Sequence, residues 1–180
     1  MSKRLSLKAM QERLALRLQE AKDQGMSAVW LGVEVAQRHF LLPLVQAGEI
    51  LSWSAPHPVP YTQPWYGGVI NHRGDLCGLV DWAAFLAAHG QLQGLAPVDQ
   101  RLSHDARLVG LNAALGVPAV LWVDRLVGLH SPGDFVHAEQ PEAWAPAWQG
   151  QRLTDTTQRV WQEIDLIGLT SDPAFLHVAA

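Results

Sequence analysis

The side chains best suited to chemistry are concentrated between Trp65 and Asp81, in the stretch WYGGVINHRGDLCGLVD. It holds four glycines, His72, Arg73, two aspartates and the chain's only cysteine, Cys77. A thiol beside a histidine is the minimum for a nucleophilic site, and closely spaced glycines are typical of phosphate-binding loops. Nucleophilic catalysis and phosphate binding are therefore the first two hypotheses, and the surrounding sequence tests each of them.

The glycines do not fit a phosphate-binding loop. Such a loop leads into a helix N-terminus, whose backbone N–H groups bind the phosphate. Here the tripeptide RGD is followed by the strand-like LCGLVD, and no Gly-Lys-Ser/Thr occurs in the chain. The sequence instead predicts a β-hairpin with its turn at His72–Asp75. Gly74 supplies the positive φ of the turn, Asn71 belongs to the same turn geometry, and Arg73 is displayed at the shoulder of the hairpin.

Cys77 lies in an apolar strand, where a free cysteine packs as a small buried hydrophobe. Catalysis through this thiol needs a base and an electropositive setting. Two alternative hypotheses stay open at this point. One is a small cysteine-dependent enzyme that uses Cys77 and a nearby histidine, and the other is a ligand-binding β-barrel that uses the Trp-rich loops.

The remaining polar residues form no recognisable catalytic or metal-binding pattern. The eight histidines are dispersed, without the three- to five-residue spacing of a helical metal site, so we expect no metal and no cofactor. Ser103, His104 and Asp105 are adjacent in the chain, whereas the members of a catalytic triad converge from separate segments. Glu163 and Asp165 lie two apart on a predicted strand, and we interpret them as solvent-facing charge.

Composition narrows the class of protein. The chain has 180 residues, 48% of them apolar, and a formal net charge of -4, which argues against nucleic acid as the main partner. A single cysteine excludes an internal disulfide framework and favours the cytoplasm. The N-terminus lacks the apolar region of a signal peptide. The apolar stretch from Leu108 to Val123 contains Gly116 and Pro118 and is shorter than the about 18–20 residues of a membrane span, so we predict two buried strands there and no membrane insertion.

Residues 5–24 are predicted to form an amphipathic helix that ends near Gly25. Apolar side chains recur there at three- and four-residue intervals, in the set Leu7, Met10, Leu14, Leu18 and Ala21. Such a spacing gives one apolar stripe on a helix. We expect this stripe to pack on the body of the protein.

Most of the rest of the chain is typical of short strands. The predicted strands cover the stretches AVWLGVEV, HFLLPL, QAGEIL, the two arms of the hairpin, ARLVGLN, PAVLWVD, LVGLH and RVWQEIDL. Asp81–Gly90 is predicted to be a short helix with Asp81 as its N-cap, Gly90–Asp105 a connecting loop, and the tail SDPAFLHV a short closing helix with a serine N-cap. Many short strands and little helix indicate a mainly β fold built from small barrels.

Four blocks of the sequence, in order, resemble the CheW-like coupling domain. They are FLLPLVQAGEIL, VPYTQPWYGGVINHRGDLCGLVDWAAFL, RLVGLNAALGVPAVLWVDRLVGL and the tail VWQEIDLIGLTSDPAFLHVA. The tail and the N-terminal helix resemble the PilI-like branch of this family, which serves chemosensory systems of type IV pilus motility.

The resemblance implies two five-stranded, SH3-like β-barrels with a hydrophobic groove between them, plus an N-terminal and a short C-terminal helix. Residues 1–26 would then be a helical extension and residues 27–180 the CheW-like domain. It also implies a non-catalytic adaptor that couples the cytoplasmic tip of a chemoreceptor to the regulatory domain of a CheA-like histidine kinase. The adaptor would be cytoplasmic and held near the inner membrane by receptor arrays.

The same resemblance assigns receptor-binding positions. Arg73 and Gly68 of GGVINHRG match positions that the family uses against the receptor. Ala47 and Glu49 of QAGEIL match positions near the groove, and Leu129 of VDRLVGL matches another apolar groove position, so these five residues are the receptor-binding candidates. An alternative role for Arg73 is to brace its own hairpin. The sequence also departs from the family pattern, because His72 stands where leucine is usual and Gly78 interrupts the strand after the turn.

Overall fold

The computed structural model describes residues 29–180. The predicted helix at residues 5–24 and the predicted boundary between residues 26 and 27 lie outside this range. The described part is mainly β, as predicted, with eleven strands in two sheets. The strands are β1 (Trp30–Val35), β2 (Arg38–Pro43), β3 (Ala47–Ser52), β4 (Tyr66–His72), β5 (Asp75–Asp81), β6 (Arg107–Leu111), β7 (Ala119–Val123), β8 (Arg125–His130), β9 (Phe135–Glu139), β10 (Gln149–Asp155) and β11 (Val160–Ile164). The helices are α1 (Trp82–Ala88), α2 (Val98–Arg101), α3 (Leu166–Ser171) and α4 (Pro173–Leu176).

The first sheet has six strands in the order β8-β1-β2-β11-β10-β9, one more than the resemblance implies. The edge strands β8 and β9 follow one another in the chain, separated only by a short turn at Pro132–Asp134. The ring of Phe135 on β9 lies 5.8 Å from that of Trp30 on β1. The sheet therefore curls until its two edges meet, which gives a nearly closed barrel.

The second sheet has the expected five strands, in the order β3-β6-β7-β5-β4. All five come from one continuous part of the chain, between the segments that build the first sheet. β6 and β7 are the two buried strands predicted between Leu108 and Val123, and every residue of β7 is buried. The β4–β5 hairpin is also confirmed, with His72 paired to Asp75.

The two sheets share one apolar core. Buried side chains of β1, β2 and β11 pack with those of β5, β6 and β7 and with the buried face of α1 in a single cluster. Five of the eight tryptophans are buried, namely Trp65, Trp82, Trp122, Trp148 and Trp161. Trp65, Trp82 and Trp148 lie in the shared core, and since a tryptophan buries roughly 150–250 Å² they supply much of the apolar area that holds the two sheets together. Trp122 and Trp161 pack in two separate clusters, one for each sheet.

Helix α1 begins as predicted. The Asp81 carboxylate accepts a hydrogen bond from the Ala84 N–H at 3.1 Å, which satisfies one free N–H of the first turn. Gly90, at φ 71°, takes the left-handed conformation just after the helix. The segment from Gly90 to Asp105 is more than the connecting loop expected, because it contains α2 and Arg101, whose side chain is buried against Asp81.

Three predictions for the C-terminal third need correction. No strand was predicted between LVGLH and RVWQEIDL, yet β9 and β10 lie there; the sequence did not reveal β9 because it is largely exposed and lacks an alternating apolar pattern. The tail forms two short helices whose N-caps are Asp165 and Asp172, not Ser171. Glu163 is half-buried and accepts a hydrogen bond from the Trp30 indole at 2.8 Å. Glu163 and Asp165 are therefore structural acceptors and not simply solvent-facing charges.

Candidate docking site

The turn between β4 and β5 holds Arg73 in an unusual backbone conformation. Arg73 and Gly74 are its two central residues, and both have a positive φ, 54° and 96°. Positive φ at both positions is what a type I′ hairpin turn requires, and it normally selects Asn-Gly or Gly-Gly. The Asn71 side chain stabilises the turn by accepting a hydrogen bond from the Gly74 N–H at 3.0 Å. An arginine at the first position keeps its Cβ in a conformation that costs about 1–2 kcal/mol relative to the ordinary right-handed one.

Glu49 joins the two edges of the five-stranded sheet. It lies on β3, and one carboxylate oxygen accepts from the Arg73 guanidinium at 2.9 Å while the other lies 2.8 Å from His72 Nε2. The register of β3 against β6 shifts between Ala47 and Ile50. A β-bulge changes the direction in which a side chain points, so that side chains no longer alternate between the two faces of the strand. Glu49 lies within this bulge.

These contacts are exposed. The Arg73 side chain is 74% accessible and that of Glu49 52%. Exposed ion pairs contribute about 0–1 kcal/mol to stability, so the pair orients Arg73 without fixing it strongly. The alternative role of Arg73 was to brace its own hairpin. The structure shows a bracing contact, but it joins Arg73 to Glu49 on β3 and not to a residue of the hairpin.

A groove opens beside this ion cluster, between β3 and the β4–β5 hairpin. Its volume is about 840 Å³, and Glu49, His72 and Arg73 lie at its polar end. The apolar lining comes from Leu51, Leu76, Cys77, Val117, Pro118 and Val120. The resemblance places a groove between the two barrels. This groove is a different one, because all of its lining residues belong to the five-stranded sheet and the loops between its strands.

The other predicted site residues lie in different settings. Gly68 is buried at φ 120°, and a Cβ there would lie 2.2 Å from the His57 carbonyl oxygen, so its backbone packs directly on the preceding loop. Ala47 is half-buried against the shared core. Leu129 is on β8 of the six-stranded sheet and does not line the groove. The structure thus brings Arg73 and Glu49 together and leaves Leu129 apart from them.

Cys77 is half-buried in the groove wall. Burial raises the pKa of its thiol, and the nearby Asp75 carboxylate raises that pKa further. A raised pKa keeps the sulfur protonated at neutral pH, whereas a nucleophilic cysteine needs the thiolate. This environment is the opposite of the electropositive setting that an enzyme using Cys77 would require.

Among residues 29–180, no three His, Cys, Asp or Glu side chains come close enough to hold a metal ion. None of the helices that the structure describes combines the length and the apolar character needed to cross a membrane.

Comparison with known proteins identifies the fold family. The model of the CheW-like domain family matches residues 30–172, which is most of the chain and includes both sheets and the groove. The chain belongs to the CheW-like domain family.

Two relatives of this CheW-like chain agree with the assignment. Protein PilI of Pseudomonas aeruginosa strain PAO1 is 29% identical over 168 residues, covering 93% of this chain and 89% of PilI. The crystal structure of the scaffolding protein TtCheW from Thermoanaerobacter tengcongensis superimposes with a TM-score of 0.61 at 17% identity, covering 77% of this chain and 88% of TtCheW. The sequence-based resemblance, including its PilI-like branch, is thereby confirmed.

Proposed function

We propose that this CheW-like chain is a non-catalytic adaptor that couples a chemoreceptor to a CheA-like histidine kinase in a chemosensory array. Family membership, the likeness to PilI and the fold of TtCheW support the adaptor class. The likeness to PilI along nearly the whole chain supports a role in type IV pilus twitching motility. The adaptor would be cytoplasmic and reach the inner membrane only through its receptor.

The observation that carries the proposal is the exposed, left-handed Arg73 at the end of an apolar groove. A non-glycine residue in a sparsely populated backbone region points to a functional constraint, because folding alone would favour another residue there. Asparagine or glycine would satisfy the turn at lower cost. The arginine is therefore explained best by what its guanidinium does outside the turn.

Arg73 and the groove together suit the side of a helical receptor tip. Partner carboxylates can replace Glu49 as acceptors, because a guanidinium pairs bidentately with a carboxylate. Apolar partner side chains would then cover Leu51 and Leu76 in the groove. Glu49 keeps Arg73 oriented in the free protein and competes only weakly, since their pair is exposed.

The remaining positions retain more indirect roles. Gly68 supports the hairpin by close backbone packing, and Ala47 begins β3 immediately before the register shift that includes Glu49. Leu129 provides a second apolar contact on the six-stranded sheet. The regulatory domain of the kinase is the other partner, and bridging the two partners is the whole activity that we assign.

The test uses isothermal titration calorimetry to measure how tightly the purified chain binds a receptor cytoplasmic tip and a kinase regulatory domain. The variant is Arg73→Ala, and the matched control is Arg152→Ala, which removes an exposed arginine from β10. If the new pair is desolvated, the Arg73→Ala truncation should weaken receptor binding by about thirtyfold or more, which corresponds to roughly 2 kcal/mol or more.

Kinase binding and the melting temperature should stay close to wild type for Arg73→Ala. Equal losses for Arg73→Ala and Arg152→Ala would show that only net charge matters, and the docking role would be wrong. Binding of neither partner by the wild-type chain would overturn the adaptor function itself.

A further inference from the structure

An apolar surface lies uncovered where the chain enters the six-stranded sheet. Val29 precedes β1 and is 39% exposed, and Leu129 on β8 is 61% exposed. Leu129 is paired with Leu31 of β1. Leu31 follows Val29 by two residues and is buried in the shared core. Side chains opposite each other, or two residues apart along a strand, share a face of the sheet. Val29 and Leu129 are therefore exposed apolar side chains on the same face of the sheet as the buried Leu31, at the edge of the shared core.

Leu44 completes this surface on the other side of β1. Its N–H donates to the Val29 carbonyl at 2.9 Å, and the Val29 N–H donates to the His130 carbonyl at 2.9 Å. Val29 is thus held in the ladder between β2 and β8, with Leu44, which is half-buried against the core, beside it. We call the surface formed by Val29, Leu44 and Leu129 the β1 rim.

The chain that precedes Val29 suits this rim in length and pattern. The apolar stripe predicted for residues 5–24 would be roughly 30 Å long as a helix. Residues 25–28 connect it to Val29 and span at most about 17 Å when extended. Such a short connection confines the stripe to surfaces near Val29 and gives it a local concentration on the order of millimolar at the rim.

Charge also favours binding of this segment to the body. Residues 1–28 contain six of the thirteen Lys and Arg residues and three of the seventeen acidic residues, which leaves them with a net charge of +3. The other 152 residues therefore carry -7. Two acidic side chains flank the rim: Asp134 accepts from the Ser131 N–H just after β8, and Asp165 caps α3, whose first N–H donates to Gln46.

We propose that residues 5–24 bind the β1 rim of their own chain as an amphipathic helix, with the apolar stripe over Val29 and Leu129. The basic side chains of this helix face Asp134 and Asp165. The helix then covers Leu129, so a receptor that uses Leu129 must displace it. This last consequence rests on the proposed function, whereas the intramolecular docking does not.

The lysine distribution permits a direct test on the full-length chain. All three lysines, Lys3, Lys8 and Lys22, lie in residues 1–28, so every primary amine of the protein is in that segment. Zero-length carbodiimide coupling joins amines to carboxylates, and mass spectrometry of the digested monomer identifies each linked pair. We expect the links to concentrate on Asp134 and Asp165 and to be independent of protein concentration.

Two pairs of variants separate docking from general charge effects. Leu14→Glu changes the stripe, and its control Gln19→Glu makes the same charge change on the polar side of the predicted helix. Leu129→Glu changes the rim, and its control Val136→Glu alters a side chain on β9 that is 62% exposed. Leu14→Glu and Leu129→Glu should each reduce the links about tenfold, because a carboxylate would have to be buried against leucine.

Links spread over distant carboxylates such as Asp99 and Glu139, links only between two copies, or equal losses in the controls would each overturn the docking.

A second measurement addresses the receptor. Leu14→Glu should strengthen binding of the receptor tip several-fold, because the competing helix is released. Unchanged receptor affinity would refute the competition but leave the cross-linked docking standing, and no receptor binding at all would refute the proposed function instead.

Discussion

Replacement of the buried ion pair between Asp81 and Arg101 should reveal how the segment after α1 is held. Both side chains are only 7% exposed. Arg101 Nη1 donates to Asp81 Oδ1 at 3.0 Å, and Nη2 donates to Oδ2 in a bidentate pair. The guanidinium also lies over the Trp122 ring, 4.6 Å from its centroid. Arg101 therefore ties the segment between Gly90 and Asp105 to the end of β5.

The expected cost of each change follows from these contacts. Arg101→Met removes the charge but keeps much of the apolar side chain, and it leaves the Asp81 carboxylate buried without a counterion, at about 3–5 kcal/mol. Asp81→Asn leaves the guanidinium without a counterion but keeps the N-cap of α1, since asparagine caps a helix about as well as aspartate. The double variant removes both charges, so it should lose about 2–3 kcal/mol less than the sum of the single changes.

Urea denaturation followed by circular dichroism measures these free energies of unfolding. The exposed pair between Glu49 and Arg73 provides the comparison, because Arg73→Met should cost no more than about 1 kcal/mol. A loss below about 1 kcal/mol for Arg101→Met would mean that water reaches the pair. Additive single and double variants would show that the two side chains do not interact, and either result would refute the assignment of Arg101 as a buried anchor.

Three further predictions concern single residues. Arg73→Asn should raise the free energy of unfolding by about 1 kcal/mol, since asparagine tolerates the left-handed turn, yet weaken receptor binding; a loss of stability in thermal melts would contradict the strain. Burial raises the pKa of Asp124, and the Ala36 N–H only partly offsets this, so the folded chain favours the protonated form and this stabilisation is lost as pH rises through the folded pKa. Asp124→Asn should thus be more stable than wild type at pH 7 and equal to it near pH 3, and the reverse order in urea melts would refute this. Although burial acts to raise the pKa of Asp155, hydrogen bonds from Thr157, Trp161 and the backbone hold it below its usual range, so Asp155→Asn should destabilise the protein at pH 7, and the difference should shrink only in strong acid.

The sequence was most informative where a local rule determines the structure. The hairpin around His72–Asp75 and the N-cap at Asp81 each follow from backbone preferences of one or two residues. The family resemblance depended on the same stretches. Local chemistry thus predicted the elements that carry the candidate site.

Long-range packing determined what the sequence could not show. Arg101 lies in a polar segment, and only its contact with Asp81, twenty residues earlier, makes it a buried residue. β9 contains mostly exposed residues and exists because β10 provides its hydrogen-bonding partner. The pairing of Arg73 with Glu49 depends on a bulge in β3, and no pattern within QAGEIL indicated it.

The strand order has a consequence for how the chain folds. β3 to β7 are consecutive, so the five-stranded barrel is complete once residues 47–123 are available. The six-stranded barrel instead pairs β2 with β11, for example Phe40 with Gln162, and it must wait for the last strands. Contacts between residues so far apart in sequence form slowly because they close long loops. During synthesis the lobe with the groove can therefore assemble first, while β2 stays without its second partner, β11, until the chain is nearly finished.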